Sequence, residues 1–246
     1  AIPQGRLGLA EWFEEWFNED YLALYPHRDA GEAARLVSLL TRVLPWQAGW
    51  RVLDVACGAG RHAAALAAAG ARPVGVDLSR ALLQRARASG VPLVRADMRR
   101  LPIRERSVDL AVNLFTSFGY FERDEEHAAV LRGIAATIRP GGWFVMDFLN
   151  ADTVRAGLVP AEEVELGGAA VRVTRTLSGG GRYVHKTIVT ADGRRFAERV
   201  RLFTPEELDA MMEAAGLRVQ SRFGDYDGGP VRPGAPRAIL AARRVR

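Results

Sequence analysis

The stretch "VLDVACGAGRHA", Val52 to Ala63, carries an apolar run into two closely spaced glycines and then into an alanine-rich segment. A strand, a glycine turn and a helix start in that order bring backbone amides up to a ligand, and Gly58 to Ala63 also fits the dinucleotide spacing G-x-G-x-x-A. Polar residues recur where later apolar runs end: Asp77, Asp97, Asn113 and Asp147, with Asp54 inside the first. Asp77 stands 19 residues beyond Gly58, where a carboxylate can accept hydrogen bonds from both hydroxyls of a ribose. These spacings point to a nucleoside ligand without saying which.

Asp54 discriminates. A dinucleotide would set two phosphate charges beside it, a repulsion on the order of 1–4 kcal/mol at about 4 Å. S-adenosylmethionine has no phosphate; its sulfonium and ammonium favour a nearby anion, and its carboxylate can meet the amides that open the helix at 61. Asp54 can also serve simply to tie down the loop backbone. Asp97 can accept from an adenine amino group with Met98 against the ring, or be a turn cap beside a core methionine. Cys57, the only cysteine, reads as a small packed residue, since no partner marks it as a nucleophile.

The frame for these residues is legible in the pattern. Strand 51–56 leads to helix 61–69, stopped at Gly70. Strand "PVGVD" leads to a helix that Ser79 caps and that ends before Gly90. Strands "VPLVRAD" and "SVDLAVNLF" follow, then helix 124–138 with three acidic residues in its first turn, a break at Pro140-Gly141-Gly142, and strand "WFVMDF". This alternation predicts a parallel sheet covered on both faces. Upstream, the aromatics at 12, 13, 16 and 17 share one face of a helix over 11–25, and a second helix covers 31–44. Residues 162–203 alternate polar and apolar, the mark of an antiparallel meander of three or four strands. "TPEEL" is a capping box; its helix ends at Gly216, and "LRVQSRF" and "RAILAARR" are the last strands. With no flexible linker, 1–246 reads as a single domain, with 1–45 as a helical lid and 162–203 as an insertion.

The 246 residues are 48% hydrophobic with a net charge of +5, an ordinary globular composition. The cations are arginines spread end to end, Lys186 being the only lysine, so the charge reads as compositional bias and nucleic acid as an unlikely partner. A lone cysteine allows no intrachain disulfide and fits a cytoplasmic setting. No apolar run approaches the roughly 20 residues of a membrane helix, and "AIPQGRLG" lacks a signal-peptide pattern.

"VLDVACGAGRHA", "GVDLS", "RADMRRLP", "VDLAVNLFTSFGYF" and "IRPGGWFVMDF" together resemble the successive motifs of the class I S-adenosylmethionine-dependent methyltransferases. The resemblance spans about 50–150, and the final helix–strand–strand unit agrees with it. It implies a doubly wound, seven-stranded Rossmann-like sheet whose last strand is antiparallel. It implies S-adenosylmethionine as cofactor and S-adenosylhomocysteine as product. Gly58 and Gly60 would approach the methionine part, with Ala56 beside them. Asp77 and Leu78 would meet the ribose, Asp97 and Met98 the adenine, and Asn113, Leu114 and Phe115 the strand-4 side. More narrowly, "YLALYPHRD", "NLFTSFGYF", "GDYDG" and "PRAIL" resemble a group of small-molecule methyltransferases in which N-terminal helices close the site. Tyr21 and Arg28 are then candidates for the methionine carboxylate.

Transfer from a sulfonium is an in-line displacement in which the protein mainly positions the partners. Phe115, Phe118, Tyr120 and Phe121 lie where the methyl should point and could hold a cation on their faces. A base is needed only for an acceptor that stays protonated. His27, Tyr120 and Tyr226 are the leading candidates, with His127, Asp147 and Asp225 behind them. No metal site is indicated. The reading is methyl transfer to a small-molecule acceptor between the lid, the "FTSFGY" loop and the "GDYDG" loop, by a monomer or homodimer. The alternatives are an RNA or other nucleic-acid methyltransferase, although "NLFTSF" lacks the Pro-Pro-aromatic motif of the amino-methylating type, and a non-catalytic cofactor-binding module.

Overall fold

The computed structural model describes residues 11–25 and 30–245. Three N-terminal helices, α1 (Trp12–Trp16), α2 (Glu19–Leu24) and α3 (Ala30–Val43), precede β1 (Arg51–Val55), α4 (Arg61–Ala68), β2 (Arg72–Asp77), α5 (Arg80–Ala86) and β3 (Leu93–Arg95). Then come β4 (Val108–Asn113), α6 (Asp124–Thr137), β5 (Ile138–Leu149) and α7 (Ala151–Ala156). The meander is β6 (Ala161–Leu166), β7 (Ala169–Ser178), β8 (Tyr183–Thr190) and β9 (Arg195–Arg201), and the chain ends with α8 (Pro205–Ala214), β10 (Leu217–Phe223) and β11 (Arg237–Arg244).

The main sheet has the order β10-β11-β5-β4-β1-β2-β3. The strands from β5 through β3 run parallel, and β11 lies antiparallel to both its neighbours, as the motif order implied. Central strands are covered on both faces, so β1 and β4 are apolar almost throughout. Leu53, Val55, Ala111 and Met146 face one core, closed by Val130 and Ile134 of α6 and Leu208 and Met212 of α8. Val52, Leu110, Val112 and Val145 face the other, closed by Leu36 and Leu40 of α3 and Leu66 of α4. The chain leaves β1 toward β2 on one side, while β4 pairs on the other. That switch point opens a crevice beyond the carboxyl ends of the strands.

The meander forms its own antiparallel sheet, β6-β7-β8-β9. Val171, Val173 and Ile188 bury one of its faces against Trp16, Tyr21 and Leu24 of the N-terminal helices. Among the described residues no helix is long and apolar enough to cross a membrane.

Two local expectations need correcting. The single helix over 11–25 is two, because the Asn18 side chain accepts from the amides of Asp20 and Tyr21 and starts a new helix. Pro140-Gly141-Gly142 does not end the strand pattern; β5 runs through it. The register against β4 shifts between Val108 and Leu110, and a Cβ at Gly142 would lie 2.8 Å from the Asp109 carbonyl oxygen. The glycines let the strand bulge past β4, and Pro140 falls beyond the last residue paired with β11. The short helix α7 was not anticipated.

Candidate active site

The crevice holds a cavity of about 1030 Å³, at the upper end of small-molecule sites. Its floor is the loop after β1. Gly58 and Gly60 take positive φ (56° and 81°), and a Cβ on Gly60 would sit 3.0 Å from that of Ala86 in α5. Ala56 shares the left-handed backbone at φ 58°. Ala56, Gly58, Gly60, Asp77, Leu78, Asp97, Met98, Leu114, Phe115 and Tyr21, each singled out from sequence, all line the cavity, as does Tyr120.

The carboxylates differ in surroundings. Asp77 Oδ2 accepts the Gly58 amide at 2.8 Å and Oδ1 the Ser79 amide at 2.8 Å. Each oxygen keeps a lone pair. Burial raises its pKa, against these hydrogen bonds. Asp54 is 1% exposed, and among the described residues its Oδ2 has no hydrogen-bond partner. Burial first, then the charge of Asp77, pushes it up to about 8. Asp97 is opposed by burial but held below the usual range by Arg99, whose Nε and amide both donate to it. Arg99 also pairs with Glu11 and Glu126, tying the start of α1 to the turn after β3.

Aromatic rings make the roof and far wall. Phe13, Phe17, Tyr21 and Tyr25 of the N-terminal helices line the cavity together with Phe115, Tyr120 and Phe121. Tyr120 lies 5.2 Å from Trp12, 6.2 Å from Phe13 and 5.7 Å from Phe17, centroid to centroid. Trp12 Nε1 donates to the Tyr120 carbonyl. The guanidinium carbons of Arg61 and Arg237 lie 4.3 and 5.4 Å from the centroid of the Phe115 ring. Phe115 and Thr116 have φ of 58° and 62°, a backbone that costs such residues about 1–3 kcal/mol each.

Several expected residues stand elsewhere. His27 and Arg28 lie outside the described residues. Asp54 and Asn113 are behind the cavity wall, not in it: Asn113 Nδ2 donates to the carbonyls of Val55 and Ser117, joining two strand ends. Tyr226 is buried among Leu36, Leu40 and Ile239 and donates to Asp147. Burial, then Asp147, raises its pKa, so it is no base. His127 is fully buried between Phe118, Phe121 and Phe203, with its pKa lowered by burial to about 4. Asp147 is fully buried. Asp225 accepts the amides of Asp227 and Gly229, so "GDYDG" is a turn against α3, where Arg35 meets Asp227, and not a wall of this cavity. Cys57 packs in the loop as expected; a Cβ on Gly75 would lie 2.7 Å from its Sγ.

Sequence reasoning missed His62. It lines the cavity at 5% exposure, its Nε2 has no partner, and burial lowers its pKa to about 3. Its place in the first turn after Gly60 was the available signal. Phe13 and Phe17 also line the cavity; their shared helical face looks the same in sequence whether it meets a core or a ligand.

The family model described as "Methyltransferase domain" matches residues 52–142. The chain is 30% identical over 218 residues to the dTDP-3-amino-3,4,6-trideoxy-alpha-D-glucopyranose N,N-dimethyltransferase of Streptomyces venezuelae, covering 84% of this chain and 91% of that one. It is 32% identical over 201 residues to the cypemycin N-terminal methyltransferase of a Streptomyces species, covering 74% and 78%. Among solved structures, S-adenosylmethionine-bound CalS10, an amino pentose methyltransferase from Micromonospora echinaspora, superposes with a TM-score of 0.64 at 25% identity, covering 98% of this chain and all of that one. With the sheet order, the glycine floor and this near full-length kinship in agreement, the chain belongs to the class I S-adenosylmethionine-dependent methyltransferases that act on small molecules.

Proposed function

We propose that the protein methylates an amine nitrogen of a small molecule held under the N-terminal helices. The aromatic box of Phe13, Phe17, Tyr21, Phe115, Tyr120 and Phe121 carries this reading. The residues fit the cofactor: Asp77 keeps acceptor capacity for ribose hydroxyls, the left-handed glycines leave the floor open, and the orphaned Asp54 Oδ2 sets a buried acceptor beneath the part of the loop that would face a cation. Gly58, Gly60, Asp77, Leu78, Asp97, Met98 and Leu114 would hold it.

Bound S-adenosylmethionine supplies a methyl group activated on a sulfonium. The rings exclude water and hold the acceptor in line. Toward a neutral amine the ring faces of Phe13, Phe17, Tyr21, Tyr120 and Phe121 would favour a cation at either end of the transfer. The amine's proton leaves to solvent beforehand. Among the described lining residues the one imidazole, His62, is too weakly basic at a pKa of about 3 to ionise an alcohol. Two of the relatives that cover most of this chain are N,N-dimethyltransferases by name, which supports the same acceptor atom.

The test is S-adenosylhomocysteine formation with a panel of primary and secondary amines against matched phenols and alcohols. Amines should turn over, with rates rising with pH up to the pKa of the amine. Turnover of phenols or alcohols without amines would overturn the reading.

A further inference from the structure

Phe115 and Thr116 hold two consecutive left-handed conformations without a glycine, which persist only where surrounding bonds impose them. The bonds converge on one residue that lies outside the cavity. Asp147, at the end of β5, accepts the Phe115 amide on Oδ2 at 3.0 Å, and its main-chain carbonyl accepts the Thr116 amide at 2.9 Å. Tyr226 donates to the same Oδ2 at 2.9 Å, and Arg237 Nε to Oδ1 at 2.6 Å. Arg237 Nη2 reaches on to Thr116 Oγ1 at 3.1 Å. The Thr116 carbonyl in turn accepts the Tyr120 hydroxyl at 2.7 Å. Phe115 and Tyr120 both line the cavity.

We infer that Asp147 is a positioning residue for the acceptor side of the site: it holds Phe115 and Thr116 left-handed and thereby places the Phe115 and Tyr120 rings, while Arg237 and Tyr226 fix its carboxylate. The inference rests on the methyl-transfer reading above and adds to it a group that touches neither reactant. A carboxylate is required, because all three groups facing its oxygens are donors. An asparagine would turn its NH₂ against Arg237 Nε in one orientation and against the Phe115 amide and Tyr226 hydroxyl in the other. Such a mismatch in a buried site is not absorbed by solvent. Tyr226→Phe is milder, since it removes one donor and leaves the rest.

The experiment compares Asp147→Asn and Tyr226→Phe with the parent protein. It measures S-adenosylhomocysteine affinity, steady-state methyl transfer to the best amine of the panel, and hydrogen exchange of residues 114–120 in the S-adenosylhomocysteine complex. Asp147→Asn should leave that affinity within about threefold, lower acceptor kcat/KM at least tenfold with the larger part in kcat, and speed exchange at 114–120. Tyr226→Phe should shift the same quantities in the same direction by a smaller factor. If Asp147→Asn does not fold, Tyr226→Phe decides alone. Unchanged kcat/KM, or a loss of S-adenosylhomocysteine affinity as large as the loss of turnover, overturns the inference. A parent protein that methylates no amine defeats the amine reading separately; exchange at 114–120 then decides, and exchange unchanged in both variants overturns the positioning role.

Discussion

Asp54 is the residue whose chemistry most depends on what occupies the site. Its pKa of about 8 lies above the ordinary 3.8 because burial, then Asp77, disfavours its charge. Between those values the folded chain binds more proton than the unfolded one. The resulting stabilisation is complete below about 3.8 and is lost as pH rises to about 8, with a slope of at most about 1.4 kcal/mol per pH unit. The melting temperature of the cofactor-free protein should therefore fall from pH 5 to 8, and Asp54→Asn should flatten that fall. A bound cation reverses the preference. S-adenosylmethionine should bind more tightly across the same window and release a proton, and S-adenosylhomocysteine, which lacks the sulfonium, should do so less. Calorimetry in buffers of different ionisation enthalpy counts that proton; none released would remove Asp54 from the cation's surroundings.

At the level of elements, the meander is one of the supports of α1 and α2. Trp16 is 2% exposed, donates from Nε1 to Glu198 at 2.7 Å and lies 4.7 Å from the Phe196 ring, both on β9. Tyr25 meets Lys186 of β8, and Asp20 meets Arg194 beside β9. The insertion thus backs the Trp16 side of these helices, while Trp12, Phe13 and Phe17 rest on Tyr120 and Phe121. Trp16→Ala removes the central contact, a loss of about 3–5 kcal/mol for a buried tryptophan. Because the contact is local, it should appear as faster hydrogen exchange over 11–25 with β1 and β4 unchanged. Acceptor turnover should fall with it, since Phe17 and Tyr21 belong to the rings proposed to hold the acceptor. Uniformly faster exchange in all elements would instead make these helices part of the global core.

For the whole molecule, binding at the switch point joins the β1 loop, the end of β2, the β4 loop and the N-terminal helices. Anything that binds this assembled form adds RT ln(1 + [L]/Kd) to its stability, about 2.7 kcal/mol at a hundredfold excess over Kd. S-adenosylmethionine should raise the melting temperature and NAD should not, as the S-adenosylmethionine-dependent family requires. Asp77→Ala should cost about 1–3 kcal/mol of cofactor binding, as ribose hydroxyls lose a charged acceptor; undiminished affinity would exclude Asp77 from the site.

What the sequence determined by itself is what is local or periodic. The Thr204–Glu207 capping box, the Ser79 cap, the left-handed glycines at 58 and 60, the alternation along β6 to β9 and the carboxylates at the ends of β1 to β3 follow from neighbours within a few residues. Such signals do not depend on how the chain closes. Tertiary structure decided which polar residue faces the cavity and which supports it. Tyr226 and Asp147 look like site residues in the sequence, yet the pairing of β11 with β5 sets Arg237 beside Asp147 and turns both away from the ligand. His62 carries no motif and Phe17 is one aromatic on a helical face, yet the crevice leaves both on its wall. Residue type records what a side chain can do; the direction it points is set by partners about 90 to 120 residues away, such as Arg237 for Asp147 and Thr116, and no local pattern carries that information.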